Sequence, residues 1–287
     1  MSMKNKIENR LVKLNAFLRS DRKPTLKVIH ALRLEVKHLE AFLELMTLQN
    51  NFGARPEMPG RLAKLFHEAG KLRKFGLEKK AIESITKHSR FSNPILFLEL
   101  LTLSEMKSTQ KLRKIQKEYP AFKPDDFARH PGVRLSSNTW RGFMITRASS
   151  ILDLLKQDIL ADIRSLHQLR KILKSIIYVL PVCKNSVKPV RTFLKTRKRF
   201  IQSVESKIGS IHDAGFFITW LEKKQNLIHA GEEGILKKIK REWQHDIVSM
   251  KKDLKPLLPA VRQFAHDLKS YSTGDLIVAI PMSSTMG

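Results

Sequence analysis

Apolar residues recur three and four positions apart along most of the chain, the spacing that lines one face of an α-helix. The strict alternation of a half-buried strand is nearly absent before the final dozen residues. The pattern predicts an all-α protein with helices at about 3–20, 24–50, 59–88, 93–118, 139–161, 162–183, 186–226 and 232–270. Breaks fall where Pro, Gly, Asn and Asp collect, at Asp21 to Pro24, Asn51 to Pro59, Ser92 to Pro94, Tyr119 to Gly132 and His229 to Gly234. The segment 119–138 holds Pro120, Pro124, Pro131 and Gly132 and is expected to link two helical halves, about 1–120 and 138–270. Residues 271–287 read as an appended tail with no legible role.

Two stretches of this pattern occur twice. Ile29-His30-Ala31-Leu32-Arg33-Leu34-Glu35-Val36-Lys37 aligns with Leu166-His167-Gln168-Leu169-Arg170-Lys171-Ile172-Leu173-Lys174, at a displacement of 167 − 30 = 137 residues. Ala69-Gly70-Lys71-Leu72-Arg73-Lys74 aligns with Ile208-Gly209-Ser210-Ile211-His212-Asp213, at 209 − 70 = 139. Each half therefore contains the same two-helix unit.

At about 100° per residue, His30, Arg33 and Lys37 share one stripe, with Leu32, Val36, Leu39 and Leu43 roughly 120° around the helix. The second copy repeats this, with His167, Arg170 and Lys174 on one stripe, Lys171 beside them, and Leu169, Leu173, Ile176 and Leu180 on the other. The basic stripe is thus expected to stand clear of the core, and its cations to be replaceable without loss of the fold. Gly70 and Gly209 lie within helical periodicity, where close helix packing is the expected reason for them.

Charge gives these stripes a meaning. Among 287 residues, 54 Lys and Arg face 27 Asp and Glu, a formal charge of +27, which repels itself unless an anion relieves it. Polyphosphate, nucleic acid and an acidic membrane surface all fit that sign. A chain of phosphates suits the stripe chemistry: Arg offers a planar fork, Lys a mobile point charge, and His a donor whose pKa, ordinarily near 6.5, a phosphate would raise. On that ordinary value, affinity should strengthen between about pH 8 and pH 6. Cys183 is the sole cysteine, so no intrachain disulfide forms, and a reducing, cytoplasmic setting is expected. Met1 to Leu18 has no uninterrupted apolar stretch, and the longest apolar run, Ile176 to Cys183, is well short of the roughly 20 residues of a membrane span. Neither export nor membrane insertion is expected.

The paired H-x-L-R-x-x-V/L-K helices, each followed by Gly70-Lys71-Leu72-Arg73 or Gly209-Ser210-Ile211-His212-Asp213, resemble the CHAD domain, the conserved histidine α-helical domain, over about residues 5 to 270. The second copy is the closer match. The first departs at Lys74, where the family commonly has Asp after Arg. The resemblance implies two pseudo-symmetric four-helix bundles, a basic groove or pore between them, and non-catalytic binding of inorganic polyphosphate, including at polyphosphate granules. By matching position it implicates His30, Arg33, Lys37 and Arg73 in the first half, and His167, Arg170, Lys171, Lys174 and His212 in the second. Lys207, one turn before His212, is added to the set, with Lys195 and Lys198 at its margin. Such domains often stand beside triphosphate-tunnel domains, whose ExExK signature this chain lacks.

Other chemistries find little in the sequence. There is no HExxH, no GxxxxGK(S/T), no GxSxG and no repeated carboxylate pair, so no enzyme activity and no cofactor are expected. Adjacent helical residues point about 100° apart, so His212 and Asp213 are not expected to share one site. No two histidines lie four apart and carboxylates do not cluster with them in sequence, so no metal is expected. Aromatics are 7%, and Phe42, Phe97, Phe193 and Phe217 fall at core positions, which disfavours base stacking on single-stranded RNA. Nonspecific nucleic-acid binding at low salt remains the alternative, because it uses the same cations.

Overall fold

The computed structural model describes residues 3–21, 24–50, 58–88, 94–127, 136–182, 188–223 and 231–274. Among them nine α-helices form and no strand does: α1 (Met3–Leu18), α2 (Leu26–Asn50), α3 (Gly60–His88), α4 (Ile95–Glu118), α5 (Ser137–Leu154), α6 (Ile163–Val179), α7 (Lys188–Lys223), α8 (Glu233–Leu254) and α9 (Leu258–Thr273). The all-α expectation holds because apolar residues at helical spacing each find a core. Leu32, Val36, Leu39, Leu43, Leu169, Leu173 and Ile176 are buried, as are Phe42, Phe97, Phe193 and Phe217. No helix of the described residues is long and apolar enough to cross a membrane.

Three boundaries differ from the pattern, each for a local reason. The helix expected over 139–161 stops at Leu154. Asp162 then opens α6 by accepting the N–H groups of Arg164 and Ser165 at 2.9 and 3.0 Å, which satisfies donors that lack an intrahelical partner. The helix expected over 232–270 is two, separated by a 3-10 turn at Lys255–Leu257. Pro256 and Pro259 supply no N–H there and crowd the preceding turn. At the other end α9 runs past 270 to Thr273 and closes on Gly274 at φ 92°, a left-handed conformation suited to glycine. Tyr271 stacks on Phe193 at 4.7 Å and the buried Ser272 hydroxyl donates to the Leu268 carbonyl, so these residues belong to the core rather than to a tail.

Residues 119–127 are packed as well. Phe122 and Phe127 are buried, and the Asn15 amide clamps Phe122 by donating to its carbonyl at 2.9 Å and accepting its N–H at 2.8 Å. The remainder of the expected link at 128–135, Cys183, and the tail from 275 onward lie outside the described residues, and each expected helix break falls partly there.

Helices α1 to α4 pack in sequence, with α1 returning against α4, while α5, α6, α7 and α9 pack around one another and α8 lies along α7. The seam between halves runs along α2, which touches both α5 and α6. Arg147 of α5 pairs there with Glu44 of α2, and the His38 ring packs 4.7 Å from that of Tyr178. One core cluster runs through both halves. A smaller one joins Ile82, Phe97 and Leu101 to Phe217, Leu221 and Trp243 at the far ends of the long helices. There the Glu232 carboxylate accepts the N–H groups of Leu96 and Phe97, capping α4 from the other half.

The sequence repeat is also a repeat of contacts. A Cβ on Gly76 would lie 2.4 Å from Leu26, and one on Gly215 would lie 2.5 Å from Ile163. Those partners are displaced by 215 − 76 = 139 and 163 − 26 = 137 residues, the same offsets as the motifs. Helix pairs α2/α3 and α6/α7 therefore meet through equivalent positions.

Candidate functional site

The contact between α2 and α6 sets the two basic stripes side by side, with α3 and α7 flanking them. Charges of one half are felt in the other. Lys174 acts on His30, Lys174 and Lys171 on Lys37, Arg73 on Lys174, and Lys37 on His167. His212 of α7 stacks on His167 with ring centres 4.2 Å apart. Nine of the sequence-derived residues thus form one cluster: His30, Arg33, Lys37, Arg73, His167, Arg170, Lys171, Lys174 and His212. Lys207 does not join it, because it lies about 160° around α7 from Glu205. Lys195 and Lys198 are exposed on α7, away from these contacts.

The stripes do not stand clear of the protein as expected. Arg33 and Arg170 are partly buried, each over a glycine of the neighbouring helix. A Cβ on Gly70 would come within 2.6 Å of the Arg33 guanidinium, and one on Gly209 within 2.6 Å of that of Arg170. The two guanidinium groups are nevertheless satisfied differently. Arg33 donates to the Phe66 carbonyl at 2.8 Å and lies 4.0 Å over the Phe66 ring. Arg170 donates through Nε to Glu205 Oε1 at 2.7 Å, and Lys174 Nζ reaches the same oxygen at 2.9 Å.

So many like charges move protonation equilibria. Burial first and Arg73 second lower Arg33 to about 10. Burial also lowers Lys37 and Lys174, with Glu40 opposing the first and Glu205 the second. His30 is lowered by desolvation, then by Arg73, Lys174 and Arg33. His167 falls to about 4 through burial and the charges of His212, Lys171 and Arg170, and its Nδ1 has no hydrogen-bond partner among the described residues. The ordinary histidine value therefore applies to neither His30 nor His167. Burial first, and the surrounding cations second, favour the neutral form of His30 and His167.

Several participants had no motif to mark them. Glu205 sits four residues before Gly209, after a stretch from Lys188 to Val204 that contains no other carboxylate, a signal that could have been noticed. Tyr178 is buried within reach of the charges of Arg170, Arg73 and Arg33, and burial raises its hydroxyl to about 12. His212 Nδ1 lies 3.3 Å from Asp213 Oδ1, which corrects the expectation that neighbours on a helix cannot share a site. Their Cβ directions diverge, but the two side chains bend toward each other, and Asp213 lies 3.9 Å from Arg170 Nη1. Carboxylates therefore do join the histidines, although no group of three metal-ligating side chains forms among the described residues.

Lys74, where the resemblance leads one to expect Asp, points across to α7 and sits 4.1 Å from the Phe216 ring and 5.6 Å from that of Trp220. Its Nζ is 3.7 Å from Glu78, too far for a hydrogen bond, and neither Glu78 oxygen has a hydrogen-bond partner among the described residues. Burial raises Glu78 to about 7 even against the Lys74 charge. A carboxyl raised above its unfolded value near 4.5 contributes stability that is present below that pH and lost as pH rises through 7. Glu78→Gln should match the wild type in denaturant unfolding at pH 4.5 and exceed it at pH 8.5 by on the order of 2–3 kcal/mol. Equal stability at both pH values would place a charged, satisfied carboxylate at this position.

Comparison with protein-family models and with curated protein sequences returned no match for this chain.

Proposed function

We propose that the protein binds inorganic polyphosphate, without catalysis, in a basic groove between two pseudo-symmetric four-helix bundles of CHAD type. The observation behind this is the convergence of two copies of one His-Arg-Lys stripe, where burial first and repulsion between the cations second lower the pKa of His30, Arg33, Lys37, His167 and Lys174. A multivalent anion relieves that repulsion and gains charge-assisted hydrogen bonds. Arg33, Lys37 and Arg73 from one half and Lys171 and Lys174 from the other supply the phosphate donors. Such a cluster needs no aromatic platform, and the buried Phe42, Phe97, Phe193 and Phe217 offer none to nucleic-acid bases. Long-chain polyphosphate should therefore outcompete duplex and single-stranded nucleic acid at fixed physiological ionic strength. Equal or weaker binding of polyphosphate would favour a nonspecific nucleic-acid binder.

The histidines give a second test. A bound polyanion raises the pKa of His30 and His167 from their lowered values, so binding takes up protons and affinity grows as pH falls. Because His167 starts from about 4, the gain extends well below pH 6 rather than ending there. Calorimetry in two buffers of different ionisation enthalpy measures this uptake. Replacing His30 and His167 by Gln should abolish it and leave the salt dependence in place. Identical proton uptake by the double variant would make both histidines packing residues.

A further inference from the structure

We propose that Glu205 is a built-in counter-anion that neutralises, in the α6/α7 half, cations whose counterparts in the α2/α3 half are left for a ligand phosphate. The two halves of the cluster are therefore unequal partners in polyanion binding. This rests on the polyphosphate reading above and adds a residue that sets its affinity.

The argument begins with register. Glu205 is the counterpart of Phe66, since 205 − 66 = 139, the offset that also relates Gly209 to Gly70. At equivalent places in equivalent helix pairs, one half carries a carboxylate and the other a phenyl ring. The consequence is visible in the partners. Arg170 and Lys174 both converge on Glu205 Oε1, at 2.7 and 2.9 Å, with the Arg170 and Glu205 side chains each 16% exposed. A second carboxylate, Asp213, lies 3.9 Å from Arg170 Nη1. Their counterparts lack this neutralisation. Arg33 has no carboxylate within 4.0 Å among the described residues, being held by a carbonyl and a ring face, and Lys37 meets only the outlying Glu40 at 3.8 Å.

Two cations already converging on one carboxylate oxygen have less to offer a phosphate, and the carboxylate repels it. The Phe66 ring occupies the equivalent place without charge, so no carboxylate there competes with a phosphate for Arg33, Lys37 and Arg73. Glu205 thus holds the α6 cations in order when the site is empty and weakens their share when it is filled. The same asymmetry limits how many phosphates the cluster neutralises at once.

The experiment measures long-chain polyphosphate binding by wild type, Glu205→Gln, Phe66→Glu and Phe66→Gln across a salt series, each variant checked for folding by thermal melting. The amide introduced by Glu205→Gln keeps an oxygen that can accept from Arg170 while losing the charge. Glu205→Gln should bind about tenfold more tightly, with a steeper salt dependence as Arg170 joins the contact and Lys174 strengthens its share. Phe66→Glu should bind about tenfold more weakly than Phe66→Gln, a comparison that separates charge from loss of the ring. If wild type does not bind polyphosphate at physiological salt, the polyphosphate reading falls. If wild type binds but Glu205→Gln binds no more tightly and with an unchanged salt slope, the counter-anion role falls alone. Should Glu205→Gln fail to fold, equal binding by the two Phe66 variants overturns the proposal.

Discussion

Replacing Arg170 by Met should lower the unfolding free energy by about 2–3 kcal/mol, more than the same change at Arg33. Removing Arg170 deprives the largely buried Glu205 of its closest partner and leaves Lys174 alone on one oxygen. Uncompensated charge in a poorly solvated place is the costly outcome, and hydrogen bonds to charged groups are the stronger kind. Arg33 differs. Its loss forfeits one hydrogen bond to a carbonyl and the contact with the Phe66 ring, and it relieves the repulsion from Arg73 that helps to lower its pKa. Arg33→Met should therefore cost about 1 kcal/mol or less. The double change of Arg170 and Glu205 to Met should recover about 1–2 kcal/mol relative to the sum of the single changes. Chemical denaturation of the wild type and these variants measures the cycle. Equal costs at Arg33 and Arg170 would show that the two stripes are energetically equivalent despite their different partners.

A triple change of Arg33, Lys37 and Arg73 to Gln should weaken polyphosphate binding by about two to three orders of magnitude without lowering the melting temperature of the free protein. Each residue contributes a charge-assisted donor, discounted here because solvent reaches part of the cluster. Binding and stability should move in opposite directions because the cations repel one another in the empty site: Arg73 lowers Arg33, and Arg33 lowers Lys37. Neutral amides remove that repulsion. Isothermal titration at two salt concentrations, paired with thermal melts, reads both effects. A folded triple variant that binds polyphosphate like wild type would exclude these residues as the site, and a variant that melts far below wild type would make them structural. Extending the change to Arg170 and Lys174, which look interchangeable with Arg33 and Lys37 in sequence, is a different experiment, because those two hold Glu205.

The sequence by itself determined the helical class, most helix positions, the core residues and the existence of a repeated two-helix unit. These properties are local and periodic. A residue such as Val36 or Leu173 is assigned to the core by neighbours three and four positions away, and the repeat is a matter of register. Where local signals interrupt the period, as at Asp162, Pro256 and Pro259, the boundaries follow those residues instead. How the stripes meet one another is set by the packing of the helices. That α2 meets α6 depends on packing between residues about 137 positions apart in the chain, which no helical period encodes. That contact adds the Lys37 charge to the burial and the cations of α6 and α7 that favour neutral His167, while packing of α7 on α6 turns Glu205, one acidic residue among 27, into the partner of Arg170 and Lys174. Charge interactions act through space and fall off with distance and solvation, so their outcome is fixed by which helices touch rather than by the order of residues within them.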